Sequence, residues 1–385
     1  MTSGDRPYLR SAIGKSLYEK IKSDEQLKLM DKSQWYAVDL SQVDPSHAEL
    51  FLPLGVDDET EAFLERCHEK SDWIFSQLWH SVVKAVLTVF MTHTSVNGLL
   101  RRGSMFVFSR RQFVRLLGVT GRWRADRLLD LGSGDGSVTQ IMAEHCDRVS
   151  VTEISSIMRS ILHGKGFAVL DVDTWHESPV RYDLITCLNV LDRCDRPLTL
   201  LQQMRAALKP GGLLVVALVL PLAPYVEQGV NANHKPVETM DPGGSTFARQ
   251  VSGVINNVFT PAGLRVERWS RLPYLCEGDL EQAFYWLSDA VFVLRPESEV
   301  TETRPEVTEP RPEVTEPRPE VKEPRPEVTE PRPEVTEPRP EVKEPRPEVT
   351  EPRPEVTVGS CPAGLDVPGL AGPRRHPGDA SLWGQ

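Results

Sequence analysis

Between Arg127 and Cys146 a short apolar run, RLLDL, leads into glycines at alternate positions (Gly132, Gly134 and Gly136) and then into a helical stretch, Val138–Cys146. A strand that turns through glycines into a helix leaves backbone N–H groups open at the turn. The alternation then repeats along the chain. RVSVTEI (148–154) reads as a strand and Ser155–His163 as a helix. FAVLDV (167–172) and YDLITCLNV (182–190) read as strands, and Pro197–Leu208 as a helix stopped by Pro210-Gly211-Gly212. LLVVALVL (213–220) is a strand and Phe247–Phe259 a helix; LRVERWSRLPY (264–274) and DAVFVLR (289–295) are the last strands. Seven strands with intervening helices predict an α/β fold with a mostly parallel sheet. Ligands of such sheets bind beyond the carboxyl ends of the strands.

The flanks read differently. Residues 1–59 are polar, with weak helical patterning, and are expected to form a peripheral extension. Residues 60–117 read as a helical segment, with apolar residues at helical spacing over Glu61–His68 and Trp73–Met91. Gln77, His80 and Lys84 interrupt the second run, which makes it amphipathic rather than a membrane span. Residues 95–109 look loop-like, broken by Gly98 and Gly103. From Arg304 the unit RPEVTEP recurs every seven residues. Proline at that density excludes helix and interior strand, so residues 297–385 are expected to be a disordered tail. A solvated spacer is the plain reading of it; a multivalent ligand for a proline-recognising partner is the sharper one.

Residues 297–357 carry a charge of −8 out of −11 for the chain, which leaves −3 elsewhere and no basic surplus for nucleic acid. The six cysteines form no CxxC pair, and the nine histidines show no ligand spacing, so neither a disulfide framework nor a metal is expected. With no apolar run in MTSGDRPYLRSAIGKS, the expectation from sequence is a reducing, cytoplasmic location.

The loop carries the first chemical signal. A dinucleotide-binding GxGxxG pattern would need glycine at position 137, where Ser137 stands. Asp130-Leu-Gly132-Ser-Gly134-Asp-Gly136 instead resembles motif I of class I S-adenosylmethionine methyltransferases, whose Rossmann-like sheet has seven strands. Glu153 ends the second strand 23 residues after Asp130, where a carboxylate can accept two ribose hydroxyls. Asn189 and Asp192 close the fourth strand. The stretch 272–279, read as a loop, brings Tyr274, Glu277 and Asp279 to the same edge.

Longer blocks then point to a family. TSVNGLLRRGSMFVFS, RLLDLGSGDGSVTQIM, CLNVLDRCDRPLTLL, ALVLPLAPYVE, RLPYLCEGD and SDAVFVLR closely resemble the methyltransferase-like 9 (DREV) family, over roughly residues 60–296 with the methyltransferase domain at 118–296. The resemblance implies a protein-histidine methyltransferase acting on the Nπ (pros) nitrogen in His-x-His motifs of other proteins, with x small. By resemblance Asp130 and Gly132 belong to motif I, while Glu153, Asn189 and Tyr274 contact the cofactor. It also makes the endoplasmic reticulum or mitochondrion the alternative location. No His-x-His occurs in this chain, so it is not expected to modify itself.

For Nπ to react, the other ring nitrogen must hold the proton, and a carboxylate accepting that N–H would orient the ring. Asp192 is the expected carboxylate, with Asp195 and Glu277 as runners-up. The plainer role for Asp192 is to cap the following helix. The competing functions are a small-molecule imidazole methyltransferase acting on a histidine dipeptide and a non-catalytic scaffold. Methylation of flipped bases is disfavoured, because the fourth strand ends in NVLD rather than a Pro-Pro-aromatic sequence.

Overall fold

Alternate residues of each apolar strand face opposite sides of one sheet, and both sides are covered. Leu129, Leu131, Ile185, Cys187, Leu214 and Val216 enter one hydrophobic cluster. Leu128, Leu184, Leu213 and Val215 enter the other. Strands buried on both faces read as continuous apolar runs, as these do. The computed structural model describes residues 12–73, 103–119, 123–227, 233–279 and 281–297. The tail expected over 297–385 and the helix expected over Trp73–Met91 lie outside them, apart from the first residue of each.

The strands are β1 Met105–Phe106, β2 Ala125–Leu131, β3 Cys146–Thr152, β4 Ala168–Leu170, β5 Tyr182–Leu188, β6 Leu208–Val219, β7 Leu264–Glu277 and β8 Phe284–Pro296. They form one sheet in the order β1-β7-β8-β6-β5-β2-β3-β4. From β4 to β6 the neighbours are parallel, and β8 is antiparallel to both β6 and β7. Setting β1 aside, this is the α/β arrangement of class I methyltransferases. The chain order reverses between β2 and β5, which marks the crevice where such sheets bind ligands.

Three features differ from the sequence expectation. The sheet has eight strands among the described residues, not seven. The extra one, β1, lies in the stretch read as a loop and pairs Met105 with Cys276 and Phe106 with Leu275. Two residues are too few to show a period. Second, β7 continues through Glu277, so most of 272–279 is strand. Third, β6 begins at Leu208, directly after the helix, and takes in Pro210-Gly211-Gly212.

The helices between the strands are α3 Arg110–Leu117, α4 Ser137–Ala143, α5 Ser156–Gly164, α6 Pro197–Ala207 and α7 Phe247–Val254, after α1 Ala12–Lys28 and α2 Asp58–Asp72. Ser109 and Gln112 form a reciprocal capping box at the start of α3, and Gly118 ends it at φ 64°. Such a cap contributes about 1 kcal/mol.

The N-terminal stretch is more than a peripheral extension. Trp35 and Tyr36 are buried. Trp269 Nε1 donates to the His47 carbonyl at 2.8 Å, and Phe51 packs on the Trp269 ring with centroids 4.7 Å apart. Isolated aromatic anchors in a polar stretch leave no periodic signal. Burying each contributes roughly 1.5–3 kcal/mol.

Candidate active site

The loop after β2 holds Gly132, Gly134 and Gly136 at φ 69°, 55° and 76°. A Cβ on Gly132 would stand 2.5 Å from Val190 Cγ2, whereas one on Gly134 would meet nothing within 4 Å. The first glycine thus allows close packing, and the second faces open space. Beneath the loop Asp130 is buried. Its carboxylate accepts from Thr139 Oγ1 on α4 and Thr186 Oγ1 on β5, each at 2.6 Å. Asp130 therefore braces the loop from below, tying three elements together. Burial pushes its pKa up, against these hydrogen bonds.

Glu153 follows β3. Its Oε2 accepts from Gly134 N at 2.9 Å and its Oε1 from Ser155 N at 2.8 Å. The carboxylate is locked in place and still has acceptor capacity for two further donors. Ile154 beside it is 57% exposed, and Val172 beyond β4 is 37% exposed. The sequence reading missed both; the signal was an apolar residue just outside an acidic strand end. An open glycine loop, a fixed carboxylate and neighbouring apolar side chains fit a nucleoside with a ribose.

Asn189 follows β5 in the left-handed region, at φ 57°, which asparagine tolerates. Its N–H donates to the Ala217 carbonyl at 3.0 Å, and its Nδ2 donates to Asp289 Oδ2 at 2.7 Å. Asp192 is 3% exposed; Arg193 Nε reaches its Oδ2 at 3.3 Å, while its Oδ1 has no partner among the described residues. Burial raises its pKa and Arg193 lowers it less. Asp192 does not cap α6: Glu238 Oε2 accepts from Thr199 N there, at 2.8 Å. The plainer role is thereby removed.

Of the runners-up, Glu277 is held by another element. Lys70 Nζ donates to Glu277 Oε2 at 2.8 Å, an ion pair between α2 and β7. The Asp195 main-chain carbonyl accepts from Val237 N at 2.8 Å and Glu238 N at 2.9 Å, which fixes its backbone and leaves its carboxylate a runner-up. Asp279 serves the turn, accepting from Glu281 N and Tyr285 Oη, each at 2.9 Å. Tyr274 lies on β7, and its hydroxyl donates to Met105 Sδ at 2.7 Å. Burial pushes the phenol pKa well up, so it remains a neutral donor. Among the described residues no cluster of His, Cys, Asp and Glu is placed to hold a metal.

Asp289 is a further residue that sequence reasoning missed. It is 0% exposed on β8, where it pairs with Val219 on β6 and Leu272 on β7. Its only signal was a lone carboxylate heading an apolar run. Burial pushes its pKa well above the usual range, and Asp192 adds to the rise. A raised folded-state pKa contributes stability below the ordinary value near 3.9, and that stability is lost as pH rises through the raised value. Asp289→Asn should therefore melt at least about 2 °C higher than the unsubstituted protein at pH 8. The gap should shrink at pH 5, which parallel thermal melts would check.

Glu153, the glycine loop, Asn189, Asp192, Tyr274 and Asp289 thus share one edge of the sheet. The structure resembles the N-methyltransferase NodS from Bradyrhizobium japonicum WM9 in complex with S-adenosyl-L-homocysteine, at 17% identity over 49% of this chain and 85% of that one (TM-score 0.32). It also resembles magnesium protoporphyrin IX methyltransferase from Synechocystis PCC 6803 with bound S-adenosylmethionine, at 12% identity over 48% and 77% (TM-score 0.32). Scores at this level carry no argument, and the fold stands on its own strand order. The family description "Herpesvirus Envelope glycoprotein GP350 C-terminal" matches residues 286–371, mostly the repeats. The description "DREV methyltransferase" matches residues 35–296, well over half of the chain and all of the sheet. The protein belongs to the DREV methyltransferase family.

Proposed function

We propose that the protein methylates the Nπ nitrogen of histidine in His-x-His segments of other proteins, with x small. The observation that carries this reading is the buried Asp192 carboxylate, with Oδ1 unpartnered among the described residues, on the same strand end as Asn189. Family membership supports it. The loop of Gly132 and Gly134, braced by Asp130, would hold the cofactor together with Glu153, Asn189 and Tyr274. Bound S-adenosylmethionine supplies an electrophilic methyl group.

Asp192 does the orienting. Histidine has a pKa of about 6.5, so its ring is mostly neutral at pH 7 and needs no strong base. Asp192 Oδ1 accepts the N–H of the far ring nitrogen. That fixes the tautomer, turns the Nπ lone pair toward the methyl group and stabilises the positive charge that develops on the ring. Cys146, Cys187 and Cys194 are free thiols, which supports action in a reducing compartment. Among the described residues no helix is long and apolar enough to cross a membrane.

Labelled S-adenosylmethionine with a His-Ala-His peptide and a histidine dipeptide in competition tests the substrate class. Label should enter the peptide. Label in the dipeptide alone would move the reading to small-molecule methylation.

A further inference from the structure

We propose that Asp289 is a positioning residue of the cofactor site: it holds the Asn189 side-chain amide in one orientation, so that Asn189 Oδ1 is presented to the bound cofactor as an acceptor.

The two ends of an asparagine amide have nearly the same shape, so a neighbour must decide which end faces inward. Here Nδ2 stands 2.7 Å from Asp289 Oδ2. The reverse orientation would set a carbonyl oxygen against a carboxyl oxygen. Asp289 cannot swing away, because it is 0% exposed between β6 and β7. The Asn189 backbone is also held, by its bond to the Ala217 carbonyl. With Nδ2 occupied, Asn189 Oδ1 is left buried and unpartnered among the described residues. Such an atom calls for a donor, and S-adenosylmethionine carries ammonium and hydroxyl donors. Asp289 Oδ1 is also without a partner among the described residues. The hold is complete while Asp289 is ionised; once protonated, it persists only with the proton on Oδ1, leaving Oδ2 to accept from Asn189.

The test is calorimetric titration of S-adenosylmethionine into the full chain and its Asp289→Ala, Asp289→Asn, Asn189→Ala and doubly alanine-substituted variants. Loss of one hydrogen bond to an ionic ligand group weakens affinity about tenfold. Both single alanine variants should show about that loss. Asp289→Asn, whose carbonyl can accept from Asn189 Nδ2, should recover to within about threefold. Because Asp289 acts through Asn189, the double variant should bind within about twofold of Asn189→Ala. An Asp289→Ala affinity within twofold of the unsubstituted protein would overturn the proposal, as would losses that multiply. If circular dichroism shows Asp289→Ala unfolded, Asp289→Asn decides: recovery supports the proposal and a loss beyond tenfold overturns it. No methyl acceptor enters the experiment, so its outcome is independent of the histidine reading.

Discussion

Asp192→Asn should fold, bind S-adenosylmethionine within about threefold of the unsubstituted affinity, and turn over about a thousandfold more slowly. The side chain keeps its volume but changes its chemistry. A carboxylate can only accept, so it selects the ring tautomer with a proton on the far nitrogen. An amide offers an N–H as well, which favours the opposite tautomer with the proton on Nπ, where no methyl can be received. It also removes the negative charge facing the developing imidazolium. Stability should hold, since burial already opposes the charged form of Asp192. Steady-state turnover beside a binding isotherm separates the two effects. Unchanged turnover would take Asp192 out of the mechanism.

The second large effect is expected at Glu153. Glu153→Ala should weaken S-adenosylmethionine binding by roughly 100-fold or more, since two hydrogen bonds to a charged acceptor contribute about 3–6 kcal/mol together. The same substitution frees Gly134 N and Ser155 N, so the loop also loses its tie to β3. Glu153→Gln keeps one acceptor oxygen and should fall between. A calorimetric Kd within threefold of the unsubstituted value for Glu153→Ala would remove this residue from the ribose role.

What could be read from the sequence depended on how local each signal was. The loop from Asp130 to Gly136 was legible because glycine at alternate positions after an apolar run has few other uses, and three left-handed residues stand there. The strand ends at Glu153 and Asn189 followed from the same short-range pattern. The reach of β7 was not legible. The stretch 272–279 was read as a loop, yet β1 pairs only at Leu275 and Cys276, so at Pro273 one side of β7 has no strand partner among the described residues and proline fits. Asp289 could not be placed either. Its meaning depends on β8 lying between β6 and β7 in one particular register, which no local pattern encodes. Glu277 shows the converse: it looked like a site carboxylate until Lys70, 207 positions away, claimed it.

The central claim is that one ring nitrogen of a histidine in a short motif receives the methyl group. The most direct measurement is incubation of the full chain with a His-Ala-His peptide and S-adenosylmethionine, followed by identification of the methylated nitrogen by mass spectrometry against Nπ- and Nτ-methylhistidine standards. The expected product is Nπ-methylhistidine. Nτ-methylhistidine, or an unmodified peptide beside a protein that binds the cofactor normally, would contradict the account.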